Sequence, residues 1–163
     1  MGIAPQEFRD VMSRLSGGVS VVTATDGDGH AQGLTATAVC SVSVEPPLVL
    51  ACLGRQSQTH AAIGASGRYA LNFLSTAGRE LADRFASSAS DKFDDIGWDM
   101  GPGGCPLLEG ALAWVECEVH RVIEAGDHTI FIGLVTLAGV AEPCRDPLLY
   151  FRGRYRTTAE IGP

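Results

Sequence analysis

Apolar residues along this chain recur first at helical and then at strand spacing. Over residues 5–15 (PQEFRDVMSRL), Phe8, Val11, Met12 and Leu15 fall on one stripe of a short helix, and Gly17-Gly18 stops it. GVSVVTAT is rich in β-branched residues, DGDGH is turn chemistry, and GLTATAVCSVSV is again strand-like, so a hairpin is expected over 18–44. Glu45-Pro46-Pro47 breaks that pattern before PLVLACL, a short apolar run that reads as a buried strand. The polar loop GRQSQ leads into a helical stretch, THAAIGAS, and then into RYALNFL, another strand.

Residues 77–89 set Leu81, Ala82 and Phe85 on one helical face, whereas 90–110, full of Gly, Asp and Pro, reads as loop. ALAWVECEVHRV alternates: Ala113, Val115, Cys117 and Val119 share one face, and Trp114, Glu116 and Glu118 share the other. A turn at EAGDH separates it from the long strand TIFIGLVTLAGV, and PLLYFRGRYRT ends the pattern as a last strand or an ordered tail. Consecutive hairpins with few helices favour an antiparallel sheet over βαβ units, and a sheet of this many strands tends to close on itself. The expectation is one mainly β domain over 1–163, a β-barrel with peripheral helices.

Composition narrows the function classes. Twelve Lys plus Arg against nineteen Asp plus Glu leave a net charge of −7, so no basic footprint for nucleic acid exists at the level of the whole chain. No apolar run is long enough to span a bilayer, and MGIAPQEFRD has no apolar stretch behind a basic start. A cytoplasmic protein with reduced, mostly buried thiols is expected. Its five cysteines, Cys40, Cys52, Cys105, Cys117 and Cys144, show no CxxC spacing, which supports neither a zinc site nor a dithiol motif.

Several catalytic signatures are missing: there is no GxxxxGK[ST], no GxSxG and no HExxH. GPGGCP has Pro106 in place of a third glycine, so it is no dinucleotide turn. DGDGH begins like a calcium loop but lacks the later ligands and the closing Glu, and reads as a hairpin turn. Three segments keep chemical interest. The small and hydroxyl residues of 33–43 would let a flat ligand approach the backbone, or simply form a half-buried strand. Ser57 and Thr59, at the mouth of a helix, suit a phosphate as well as an ordinary N-cap. His128 starts a strand, where a neutral imidazole could reach a substrate or merely serve the turn.

Taken in order, GLTATAVCSVSVEPPLVLACL, the Ser-x-Thr of Ser57 and Thr59, RYALNFL, Asp91-Lys92-Phe93, GDHTIFIG and PLLYFRGRY resemble the flavin reductase-like, FMN-binding split-barrel family over roughly residues 5–157. The best-known members of that family are the reductase components of two-component flavin-dependent monooxygenases. The resemblance implies an antiparallel split β-barrel, a homodimer with flavin at its interface, and hydride transfer from NADH or NADPH to FMN or FAD. It also implies release of reduced flavin to a partner monooxygenase. An alternative is a split-barrel flavin binder with little NAD(P)H turnover. A bound flavin carries its own electron chemistry, which fits the missing triad and metal motifs.

By the same resemblance, Thr35, Ala36, Thr37, Cys40 and Ser41 would line the flavin ring, much of it through backbone groups, with Cys52 and Leu53 nearby. Ser57 and Thr59 would hold the phosphate, while Phe85, Lys92 and Phe93 would close one side. His128 matches the histidine of the family's GDH motif, associated with nicotinamide placement, and Tyr150 and Arg154 match the C-terminal segment near the site. Thr37 stands where Asn is common and Cys40 where Ser or Thr is common, which leaves FMN and FAD both open.

Overall fold

A computed structural model describes residues 2–141, 143 and 145–159. In chain order the elements are α1 (Pro5–Met12), β1 (Gly17–Gly18), β2 (Ser20–Thr25), β3 (Ala31–Ala36), β4 (Val39–Ser43), β5 (Leu48–Gly54), α2 (Gln58–Ser66), β6 (Arg68–Leu74), a 3-10 turn (Thr76–Gly78), α3 (Arg79–Ala86), β7 (Trp98–Met100), β8 (Pro106–Leu108), β9 (Ala111–Ala125), β10 (His128–Val140), β11 (Leu149–Phe151) and β12 (Arg154–Arg156). The expected antiparallel, mainly β architecture is present.

The main sheet has seven strands in the order β3-β2-β6-β9-β10-β5-β4. Its two edge strands, β3 and β4, are consecutive in the chain and are separated only by Thr37 and Ala38. The run 33–44, expected as one strand, is therefore two: it leaves β2 at one edge and joins β5 at the other. The N–H of Cys52 donates to the Ala38 carbonyl (2.9 Å) at the crossing. β3 and β4 are not paired with each other, so among the described residues the ladder itself does not close.

That crossing forces the sheet to curl, and the curl makes an interior. Val22, Ala24, Ala36, Ala51, Leu53, Tyr69, Leu71, Cys117 and Phe131 pack there with Ala62 and Ile63 of α2. Fully burying a side chain such as Ile63 stabilises by about 1.5–3 kcal/mol. Ser57 caps α2 and Gly67, at φ +67°, ends it in the left-handed conformation that glycine tolerates. A second cluster, on the other face of β2, packs Val19, Val21, Leu74, Leu108 and Leu148 against Ala82 and Phe85 of α3. Because β2 is covered on both faces, Ser20 through Ala24 are all buried, the hydroxyl residues Ser20 and Thr23 included.

Four further expectations change. The stripe of α1 is helical, but Phe8 is 54% exposed and the helix buries no residue. Residues 90–110 are not all loop, since β7 and β8 pair within them. The C-terminal segment is a hairpin, β11-β12, joined to β1 in a separate small sheet. Glu116, expected on the polar face of β9, is 1% exposed. The loop 101–105 covers that face and satisfies the carboxylate, which accepts from the N–H groups of Gly103 (2.9 Å) and Cys105 (3.0 Å). Side chains at Gly101 or Gly103 would collide with it.

Of the cysteines, Cys105 and Cys117 are buried, Cys52 is half-buried and Cys40 is exposed, all as free thiols; Cys144 lies outside the described residues. Burial pushes both the Cys105 and the Cys117 thiol up to about 12.

Replacing Glu116 with Ala strips two N–H groups of their acceptor and is expected to cost about 2–4 kcal/mol, with Gln recovering part of it. Urea unfolding measures this, and an unchanged midpoint for Glu116→Ala would mean that the loop holds without the carboxylate.

Candidate functional site

Strand alternation sorts the suspected residues onto two faces. Ala51 and Leu53 point into the core, so Leu50, Cys52 and Gly54 point outward. The ladder sets Ile130 opposite Cys52 and His128 opposite Gly54, while Leu50 lies between Ile132 on one side and Cys40 on the other. His128, Cys52 and Cys40 thus share one outer face of β10, β5 and β4. His128 is exposed, and its Nδ1 lies 2.8 Å from Asp127 Oδ1. That contact holds the Asp127 carboxyl below its usual value.

Ala36 and Leu53 are corrections at the level of side chains. Both are buried in the core cluster, so only their backbone groups can reach a ligand. Thr37 and Ser41 are exposed, on the crossing segment and on β4. Tyr150 and Arg154 sit on the C-terminal hairpin outside the cavity, and Tyr150 pairs with Gly17, which packs against Thr37. There Tyr150 meets Tyr155 edge-on (5.5 Å), and the Tyr155 hydroxyl donates to Asp83 of α3 (2.9 Å).

The rest converge on a cavity of about 500 Å³ bounded by β3, the loop into α2 and the loop after α3. Thr35, Ser57, Thr59, Phe85, Lys92 and Phe93 all line it. Each wall has a local cause. The Thr35 hydroxyl donates to the Ala82 carbonyl (2.7 Å), which ties β3 to α3. Phe85 meets Phe93 edge-on at 5.0 Å, and Phe93 meets Trp98 at 5.4 Å. Gly33 is required under this stack, since a Cβ there would lie 2.6 Å from the Phe85 ring.

The polar end combines a helix N-terminus with hydroxyls. Ser57 Oγ accepts from the His60 N–H (3.1 Å) and donates to the Gly54 carbonyl (3.0 Å), so the N-cap reading is realised. The N-terminal N–H groups of α2 still favour a negative charge. Lys92, the only lysine of the chain, donates to the carbonyls of Gly33 (3.3 Å) and Phe85 (3.2 Å). Burial holds its ammonium below the usual lysine range. No lining residue is acidic. In a chain of net charge −7, that combination could hold an anion.

Sequence reasoning missed Gln32, Gln56, Gln58 and the serines Ser87, Ser88 and Ser90, which add polar groups to the same cavity. The serine run directly after a helix was the available signal. The DGDGH turn brings Asp26, Asp28 and His30 together, and Asp26 accepts from the N–H groups of Asp28 (3.0 Å) and His30 (2.9 Å), as a turn requires.

A family model described as "Flavin reductase like domain" matches residues 12–159. The chain is 39% identical to the "Probable flavin reductase" of Rhizobium meliloti over 158 residues, 97% of this chain and 50% of that protein. It therefore spans half the length of that relative. It is 38% identical to "Flavin-dependent monooxygenase, reductase subunit HsaB" of Mycobacterium tuberculosis over 154 residues, 94% of this chain and 82% of that protein. Among solved structures, the Streptomyces globisporus C-1027 NADH:FAD oxidoreductase SgcE6, in complex with NAD and FAD fragments, is similar with a TM-score of 0.89 at 37% identity. That likeness covers 98% of this chain and 97% of the other.

A phosphate-bearing ligand such as FMN should bind the cavity more weakly as pH rises. Lys92 loses its proton earlier than an ordinary lysine, so affinity falls through that lowered value, and Lys92→Arg should hold it to higher pH. A fluorescence titration of FMN across alkaline pH measures it; identical profiles for the two proteins would remove Lys92 from the anion site.

Proposed function

The chain belongs to the flavin reductase-like family, and from that membership we propose that it is an NAD(P)H:flavin oxidoreductase that supplies reduced FMN or FAD to a flavin-dependent monooxygenase. The curled seven-stranded sheet is then the family's split barrel. The observation that carries the reading is the anion cavity, with one lysine, a helix N-terminus and no carboxylate, placed beside the outer face that holds His128. Its residues fit a flavin phosphate: hydroxyl and N–H donors face a cavity with an aromatic wall.

In this reading Ser57, Thr59 and Lys92 hold the phosphate, while Thr35, Phe85 and Phe93 form the wall beside it. The backbone of Ala36, Thr37 and Ser41, with Cys40 and Cys52, faces the ring. When bound, the flavin supplies the two-electron chemistry, accepting a hydride from NADH or NADPH. The protein's part is orientation, which supplies up to about 7–11 kcal/mol where reacting groups are well aligned. His128, held by Asp127, orients the nicotinamide carboxamide and needs to move no proton.

A homodimer completes the site. Val42, Val44, Val122, Ile123, Leu137 and Val140 are exposed on β4, its following turn and the long β9-β10 hairpin. An unpartnered apolar set of this kind supports an interface, which for a stable pair buries more than about 1,000 Å². No helix among the described residues is long and apolar enough to cross a membrane, and a cytoplasmic location accords with the free thiols.

Anaerobic mixing of flavin-loaded protein with NADH, then with NADPH, tests the reading. Loss of the oxidised-flavin absorbance with one of them supports a reductase, whereas a coloured protein that neither bleaches is a flavin carrier. For His128→Ala, flavin affinity should stay near that of the native protein while kcat/KM for NADH drops about ten- to a hundredfold. Stopped-flow reduction at the native rate across all NADH concentrations would return His128 to the turn.

A further inference from the structure

His60 lies at the third position of α2, one residue beyond Thr59. Its backbone N–H is the group that Ser57 Oγ caps. Its side chain points away from the cavity, to the opposite wall. There Nε2 lies 2.8 Å from Thr129 Oγ1, and the ring meets Phe131 edge-on at 5.1 Å and 65°. Thr129 and Phe131 are both buried, on the inner face of β10, and Thr129 directly follows His128.

We infer that His60 is a positioning residue: by bonding Thr129 it fixes the first turn of α2, and with it Ser57 and Thr59, against the strand that carries His128. The inference rests on the reading of the cavity as the flavin phosphate site. A nine-residue helix has little stability of its own, so its place is set by what it packs against. On the cavity side Ser57 ties the start of that turn to the Gly54 carbonyl. On the far side, among the described residues, the His60–Thr129 pair is the one side-chain hydrogen bond that ties the turn to β10. Either tautomer can make it, because a threonine hydroxyl both donates and accepts. Without it, a shift of a few tenths of an ångström at α2 moves the N–H groups and hydroxyls off the phosphate while the outer face of β10 and β5 stays in place.

The test compares FMN with riboflavin, which has the same ring and no phosphate. Thr129→Val removes the hydroxyl at similar volume, and His60→Phe keeps the ring beside Phe131 but loses Nε2. Each should raise the Kd for FMN about three- to tenfold in a fluorescence titration and leave the Kd for riboflavin unchanged. His60→Gln, which can reach Thr129 with its amide, should restore FMN affinity to within about twofold. Equal weakening of FMN and riboflavin, or no change in either for Thr129→Val with the protein still folded by its melting curve, would overturn the positioning role. If the native protein binds FMN no more tightly than riboflavin, the phosphate-site reading itself fails, and the inference with it.

Discussion

The fold depends on one topological constraint: the two edge strands of a seven-stranded sheet are neighbours in sequence. Two residues, Thr37 and Ala38, must carry the chain from the end of β3, paired with β2, to the start of β4, paired with β5. A flat sheet would hold those edges many strands apart, at roughly 4.8 Å per strand. The sheet therefore curls until its edges meet, and the curl gives each strand an inner and an outer face. Small residues at the crossing permit it. A Cβ at Gly17 would already sit 3.1 Å from the Thr37 side chain.

The two halves of the site follow from that geometry. The inner face is filled by the core and plugged by α2, which leaves the outer row of His128, Cys52 and Cys40 uncovered. The outer face of β3 receives α3 through Thr35 and the Phe85 ring, and Lys92 fastens the loop after α3 back onto Gly33. The cavity lies where that loop meets the start of α2. Lys92 is thus both a structural tie and the cavity's only cation. Its partial burial weakens its hold on a proton, and an anion in the cavity would strengthen it.

Much of this was legible from residue order. The hairpin around DGDGH, the helix start at Ser57, the apolar face of α3 and the long final hairpin all carry local signals, and the structure repeats them. The failures occur where tertiary structure overrides a local pattern. Period-two alternation places Glu116 outside, because no pattern in β9 encodes the loop that folds over it. A single β-rich run at 33–44 conceals a crossing, because small residues suit both strands equally. Leu53 and Ala36 sit beside ligand-facing positions in sequence, and alternation turns their side chains to the core. The stripe on α1 predicts a helix correctly, but a helix needs something to cover it, and within one chain Phe8, Val11, Met12 and Leu15 remain exposed. The cavity's serines lie in a segment with no periodicity to read.

The central claim is that one ligand bridges the anion cavity and the outer row, phosphate at one and ring at the other. A crystal structure of the protein with FMN tests it most directly. The account predicts phosphate density within hydrogen-bonding reach of Ser57, Thr59 and Lys92, with the ring lying over the face that Cys40, Cys52 and His128 share. A phosphate bound elsewhere, or a ring seated away from that face, would contradict it.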